Sequence, residues 1–238
     1  MFAINTDGSS FTNLHSFSGG SDGCFPLAGL ILSGNTLYGT TESGGSSAQG
    51  NIFALQVNSM RFTNLYSFTN GLDGAMPQAG LILADGILYG TASYGGDSDA
   101  GTVFALNPDG SDFTTLHGFT AGGYDRFPNR DGAEPLAGLI SSGNTLYGTA
   151  SHGGDFDVGT VFSLSLSPVA RLTLERSGAD VIIKWPTNAA GFTLQFTTNL
   201  ASAAEWSTVS PAPAIISGQN VVTNGISGTR HFYRLMQP

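Results

Sequence analysis

One line of this sequence is written three times. GNTLYGTTESGG at 34–45 returns as GILYGTASYGG at 86–96 and as GNTLYGTASHGG at 143–154. The flanks repeat with it. FTNLHSF starts at residue 11, FTNLYSF at 62 and FTTLHGF at 113, so both spacings are 51 residues. LYGT starts at 37, 88 and 146, which leaves seven extra residues in the third copy, between Phe119 and Asp131 in TAGGYDRFPNR. A period near fifty marks stacked copies of one supersecondary unit, each unable to bury its own faces alone.

The second copy shows what the unit is. AGLILAD (79–85) and ILYGTAS (87–93) read as strands joined at Asp85-Gly86, a hairpin signal. TVFALN (102–107) is a third strand, and after the turn PDG (108–110) comes FTTLHGF (113–119) as a fourth. No segment has apolar residues at helical spacing with caps, so essentially no helix is expected. GLILS and VFALN are nearly continuous apolar runs, which predicts sheets covered on both faces. Small four-stranded sheets packed between neighbours are the blades of a β-propeller. The expected fold is therefore all-β: a partial β-propeller of about three four-stranded blades over 1–166.

Strand three occurs four times (near 2–5, 51–56, 102–107 and 160–166), whereas the other strands occur three times each. That makes about three and a quarter blades, fewer than the about four of a closed propeller. A longer parent chain, a ring closed by a homodimer, or another fold would each resolve the shortfall. The main alternative fold is a β-trefoil, disfavoured by the fourth copy of strand three and by the long period.

After SLSLSPVA the composition changes. Residues 167–238 hold six or seven short strands separated by Gly, Pro and Asn, the pattern of a small β-sandwich with Trp185 as core aromatic and Tyr233 as its counterpart.

Charge narrows the partners. Residues 1–166 carry three Lys/Arg against fourteen Asp/Glu, and 167–238 carry five against three. An acidic first part disfavours nucleic acid and anionic membrane surfaces. No run reaches the ~20 apolar residues of a membrane span. The one cysteine, Cys24, stands where other copies have Ala75 and Ala133 and reads as a small buried residue.

The motif G-L…L-Y-G-T…G-G…G-T-V-F over 1–166 resembles the GloVer tandem repeat of bacterial surface and secreted proteins, whose members carry varied C-terminal anchors. The stretch IKWP…GFTLQ…TTNL…FYRL resembles fibronectin-III-like C-terminal modules of exported proteins. These resemblances imply an extracellular or cell-surface location, a propeller and no established activity. They also raise the expectation that Met1, standing where other copies have Ile52 and Val103, is an internal start without the signal peptide.

Candidate chemistry is sparse. Asp22, Asp73 and Asp131 open DG-x-x-P-x-AGL segments (DGCFPLAGL, DGAMPQAGL, DGAEPLAGL) and are read as turn residues rather than a ring of cation ligands. Asp97/Asp99 and Asp155/Asp157 have a D-x-D spacing that can chelate Ca²⁺, but the first copy has no acid there, so no cofactor is expected. Ser43, Tyr94 and His152 vary beside a fixed Gly-Gly, as a binding face would. The third copy adds Tyr124, Arg126, Phe127 and Arg130, and Glu134 replaces Phe25 and Met76. Aromatics with ions suit glycan or peptide contacts. The expected role is a non-enzymatic exported scaffold or adhesion module with a glycan or cell-surface protein as partner. The alternatives are a carbohydrate-binding module, or a polysaccharide hydrolase using Glu134 with Asp131.

Overall fold

A computed structural model describes residues 1–120, 129–166, 172–186, 192–200, 205–216, 219–225 and 230–236. Tyr124, Arg126 and Phe127 lie outside the described residues. The chain forms two compact units, Met1–Ser165 and Leu166–Pro238. Among the described residues all pairing between strands is antiparallel, no helix occurs and no barrel closes.

The first unit begins with a two-stranded pair, β1 (Phe2–Ala3) and β2 (Thr12–Asn13). A four-stranded sheet follows in chain order, β3 (Ile31–Ser33), β4 (Thr36–Thr41), β5 (Asn51–Gln56) and β6 (Arg61–Ser67). The next sheet repeats it as β7 (Ile82–Ala84), β8 (Ile87–Ala92), β9 (Thr102–Leu106) and β10 (Thr114–Gly118). The third has three strands among the described residues, β11 (Ile140–Ser142), β12 (Thr145–Ala150) and β13 (Thr160–Ser165). Each sheet starts with a tight hairpin. In the second, Asp85 and Gly86 take φ of 50° and 77°, the left-handed pair that matches strand twist.

Register divides each sheet into two apolar faces. In the first, Leu37 opposite Leu55 and Gly39 opposite Phe53 share one face, while Tyr38 opposite Ala54 and Thr40 opposite Ile52 share the other. The second face joins Leu88, Phe104 and Leu106 of the next sheet in one buried cluster with Phe68 and Leu81. Fully burying each such side chain contributes about 1.5–3 kcal/mol. Polar links reinforce the stack, since the Thr40 hydroxyl donates to the Ala79 carbonyl at 3.0 Å and Thr91 repeats the bond to Ala137 at 3.4 Å.

One expectation needs correction, and the repeated glycines and tyrosines add detail to it. Strand one is short and only partly covered, with Leu32 and Leu83 exposed, so burial on both faces belongs to strands two and three of the first two four-stranded sheets. Gly39, Gly90 and Gly148 make room for their own sheet rather than a neighbour. A Cβ at Gly90 would lie 2.6 Å from the Phe104 ring and 2.8 Å from Leu81. The three repeated tyrosines are not equivalent either, because Tyr38 and Tyr89 are buried and Tyr147 is 39% exposed on the last sheet.

Among the described residues the second unit has seven strands: β14 (Thr173–Ser177), β15 (Asp180–Pro186), β16 (Thr193–Thr197), β17 (Ser207–Thr208), β18 (Ala214–Ile216), β19 (Gln219–Gly225) and β20 (Phe232–Met236). They make sheets ordered β14-β15-β19-β18 and β17-β16-β20. Ile183, Trp185 and Val222 from one sheet and Leu194 from the other share a core, with Tyr233 packed against it. Arg234 lies 4.2 Å over the Trp206 ring, a cation–π contact on the outside.

Candidate functional site

Two loops of every repeat meet along one rim: the connection entering strand one and the Gly-Gly loop after strand two. Isolated bridges join them at Cys24–Ser43, Ala75–Tyr94 and Ala133–His152. Cys24 is only partly buried, unlike Ala75.

The repeated aspartates close the first loop. Asp73 accepts from the Thr69 N–H (2.7 Å), the Thr69 hydroxyl (2.7 Å), the Gly71 N–H (3.0 Å) and the Tyr66 hydroxyl (3.1 Å). Asp22 does the same with the Ser18 N–H at 2.9 Å, the Ser18 hydroxyl, and His15 at 3.2 Å. Asp131 accepts from the Thr120 N–H (3.1 Å) and hydroxyl (2.6 Å) and stands 3.3 Å from His117. The seven extra residues of the third copy thus fall between clamp partners that are kept. Burial pushes the Asp22 carboxyl up, but the bonds from Ser18 and His15 outweigh it and hold it below the ordinary value. Burial, then the Asp73 charge and hydrogen bond, push the Tyr66 hydroxyl up to about 12.

A second set of residues ties one repeat to the next. Phe25, Met76 and Glu134 all take a left-handed backbone, with φ of 54°, 53° and 52°, a conformation that costs an ordinary residue of order 1 kcal/mol. At Met76 it lets the N–H donate to Gln49 of the preceding repeat while its carbonyl accepts from Ser93 of its own. Glu134 repeats this with Ala100 and Ser151. The proline that follows then packs against a glycine of the preceding repeat. A Cβ on Gly50 or Gly101 would lie 2.6 Å from Pro77 or Pro135 respectively.

The D-x-D loops use one aspartate internally. Asp99 accepts from the Gly95 N–H at 2.8 Å and Asp157 from the Gly153 N–H at 2.9 Å. Asp97 is exposed, and Asp155 stands 3.8 Å from Arg130 in an exposed ion pair. No group of three His, Cys, Asp or Glu stands together as a metal site among the described residues.

The third repeat does gather several of its sequence candidates. Glu134 and His152 lie 3.5 Å apart, and the Ser151 hydroxyl is 3.0 Å from the same imidazole nitrogen and donates to the Glu134 carbonyl. The Arg130–Asp155 pair bridges the same two loops. Tyr94 takes the His152 position on the neighbouring repeat's rim. Asp131 is committed to its clamp and does not pair with Glu134. Phe156, 87% exposed, was not singled out by the pattern, although a phenylalanine replacing Ser47 and Ser98 in a polar loop was a visible signal.

Residues 1–162 match the family model of the Gloeobacter/Verrucomicrobia repeat. The chain belongs to that repeat family. In this member of the Gloeobacter/Verrucomicrobia repeat the matched residues coincide with the stacked sheets and both rim loops. No curated protein matches the chain in sequence. Among solved structures, a chain of a nidogen/laminin complex is 18% identical with a TM-score of 0.45, over 69% of this chain and 51% of that one. TolB from Acinetobacter baumannii is 14% identical with a TM-score of 0.41, over 99% of this chain and 56% of its own. The repeat protein therefore spans about half the length of these two structures.

Proposed function

We propose that this repeat protein is a non-catalytic exported or cell-surface scaffold or adhesion module, with propeller-type blades in its first unit and a fibronectin-III-like sandwich in its second. The observation that carries the reading is the use made of the repeated polar side chains. Asp22, Asp73 and Asp131 close loops, Asp99 and Asp157 brace Gly-Gly turns, and Thr40 and Thr91 join sheets. Chemistry that recurs between copies is spent on the frame, and residues that vary along the rim are left to meet a partner. No helix among the described residues is long and apolar enough to cross a membrane. Protease treatment of intact producing cells tests the location. Cleavage of the chain before lysis is expected, and protection until lysis would refute a surface role.

A second reading, glycan binding at the third repeat, is favoured by the exposed Phe156 beside the Glu134–His152 and Arg130–Asp155 pairs. A glycan array would show a signal lost in Phe156→Ala and weakened in Glu134→Gln. A signal indifferent to both would remove this rim from consideration.

A further inference from the structure

Each complete junction between successive sheets holds four aromatic rings. At the first, His15 stacks on Phe62 with centroids 4.2 Å apart, Phe62 stacks on Phe53 at 5.3 Å, and Phe17 meets Phe53 edge-on at 5.4 Å. At the second, Tyr66 stacks on Phe113 at 3.8 Å, Phe113 on Phe104 at 5.6 Å, and Phe68 meets Phe104 at 5.3 Å. The third junction has three of the four. Phe119 meets Phe162 at 5.2 Å and His117 meets Phe119 at 4.9 Å. The missing ring is the one that Phe62 supplies from strand four and Phe113 from the residue just before it.

Among the described residues the third sheet has no strand four, and its outermost strand β13 is paired on one edge only. His117 is correspondingly more open than His15, at 36% against 21% of the side chain.

We propose that this place is a docking site for an extended peptide segment of another chain, which pairs with β13 and inserts one aromatic ring between His117 and Phe162. The occupant is a strand of the pattern Phe-Thr-x-Leu, the pattern found against strand three in both complete sheets as FTNLYSF and FTTLHGF. The interface is one this chain already makes twice, with a ladder of backbone bonds for affinity and a ring slot for specificity. Aromatic pairs at these separations add to the burial of the ring itself. The inference stands on this geometry and does not depend on the scaffold or glycan readings.

The test is fluorescence anisotropy of a labelled peptide with the sequence of residues 60–69, MRFTNLYSFT, titrated with the full chain. Saturable binding is expected, weakened about tenfold or more when the peptide carries Phe62→Ala, as for an anchor ring in a buried slot. Hydrogen exchange should slow at the amides of Thr160–Ser165. His117→Ala in the protein should weaken binding while its melting transition shows that it still folds. No binding up to the solubility limit of the peptide would overturn the proposal. So would equal affinity for the Phe and Ala peptides, or protection that falls elsewhere in the chain.

Discussion

Replacing Asp73 with alanine removes the acceptor of four hydrogen bonds at once. Two of its donors, the hydroxyls of Thr69 and Tyr66, can rotate and find water. The Thr69 N–H cannot, because the backbone fixes its direction, while the Gly71 N–H keeps a longer bond to the Thr69 hydroxyl oxygen at 3.3 Å. An unsatisfied buried donor costs about 1–3 kcal/mol. Water reaches the outer part of this loop, so the low end applies to the Thr69 N–H and less to the Gly71 N–H, and Asp73→Ala is expected to destabilise by about 1–2 kcal/mol. Both tryptophans, Trp185 and Trp206, lie in the second unit, so their fluorescence does not follow this loop. Urea unfolding should instead be read by far-UV circular dichroism. A second signature is independent of stability. Without the carboxylate, the Tyr66 hydroxyl keeps only its burial and should titrate below about 12, toward its ordinary 10.0, in an absorbance titration. A variant within about 0.5 kcal/mol of the parent, the range of a neutral surface change, with an unchanged tyrosine titration, would refute the clamp.

Further expectations follow from other residues. Gly90→Ala should cost about 1–3 kcal/mol through overpacking against Phe104 and Leu81, measured as a lowered urea midpoint. Phe68→Ala, which empties a fully buried position between two sheets, should cost about 3–5 kcal/mol by the same measurement. The Asp22 carboxyl is held below its ordinary value in the folded chain, so its contribution is present above the unfolded value and lost as pH falls through the folded one; Asp22→Asn should flatten the acid limb of a stability–pH curve. Tyr66 has the opposite slope, because the unfolded chain ionises first, and stability should decline from pH 10.0 to about 12 except in Tyr66→Phe.

The repeat, the four-strand unit and the turn role of the aspartates could be read from the residues, because each recurs at a fixed spacing with a local physical cause. The partners of those aspartates are legible in the same spacing. His15 lies seven residues before Asp22 and Tyr66 seven before Asp73, and the third copy separates His117 from Asp131 by the same seven plus the insert. The inter-repeat tie at Met76 and Glu134 was not legible, since its signal is a backbone angle that a phenylalanine, a methionine and a glutamate adopt alike. Nor was the loss of burial at Tyr147 and Val161. Their side chains match the other copies, and only the absence of a following sheet among the described residues distinguishes them. The Glu134–His152 contact was out of reach because strand pairing, not chain proximity, makes it.

The aspartate clamp has a consequence for how such a chain can change. Its hydrogen bonds tie the two ends of a connection together at the base, so the sheets on either side are indifferent to what lies between. The third copy carries seven residues there with its bonds from Thr120 to Asp131 intact. Ser18–Asp22 and Thr69–Asp73 are the same fixture in its shortest form. Each is a socket into which foreign sequence can be grafted without disturbing the frame, and through which a lineage can add a new surface to one repeat while leaving its neighbours as they were.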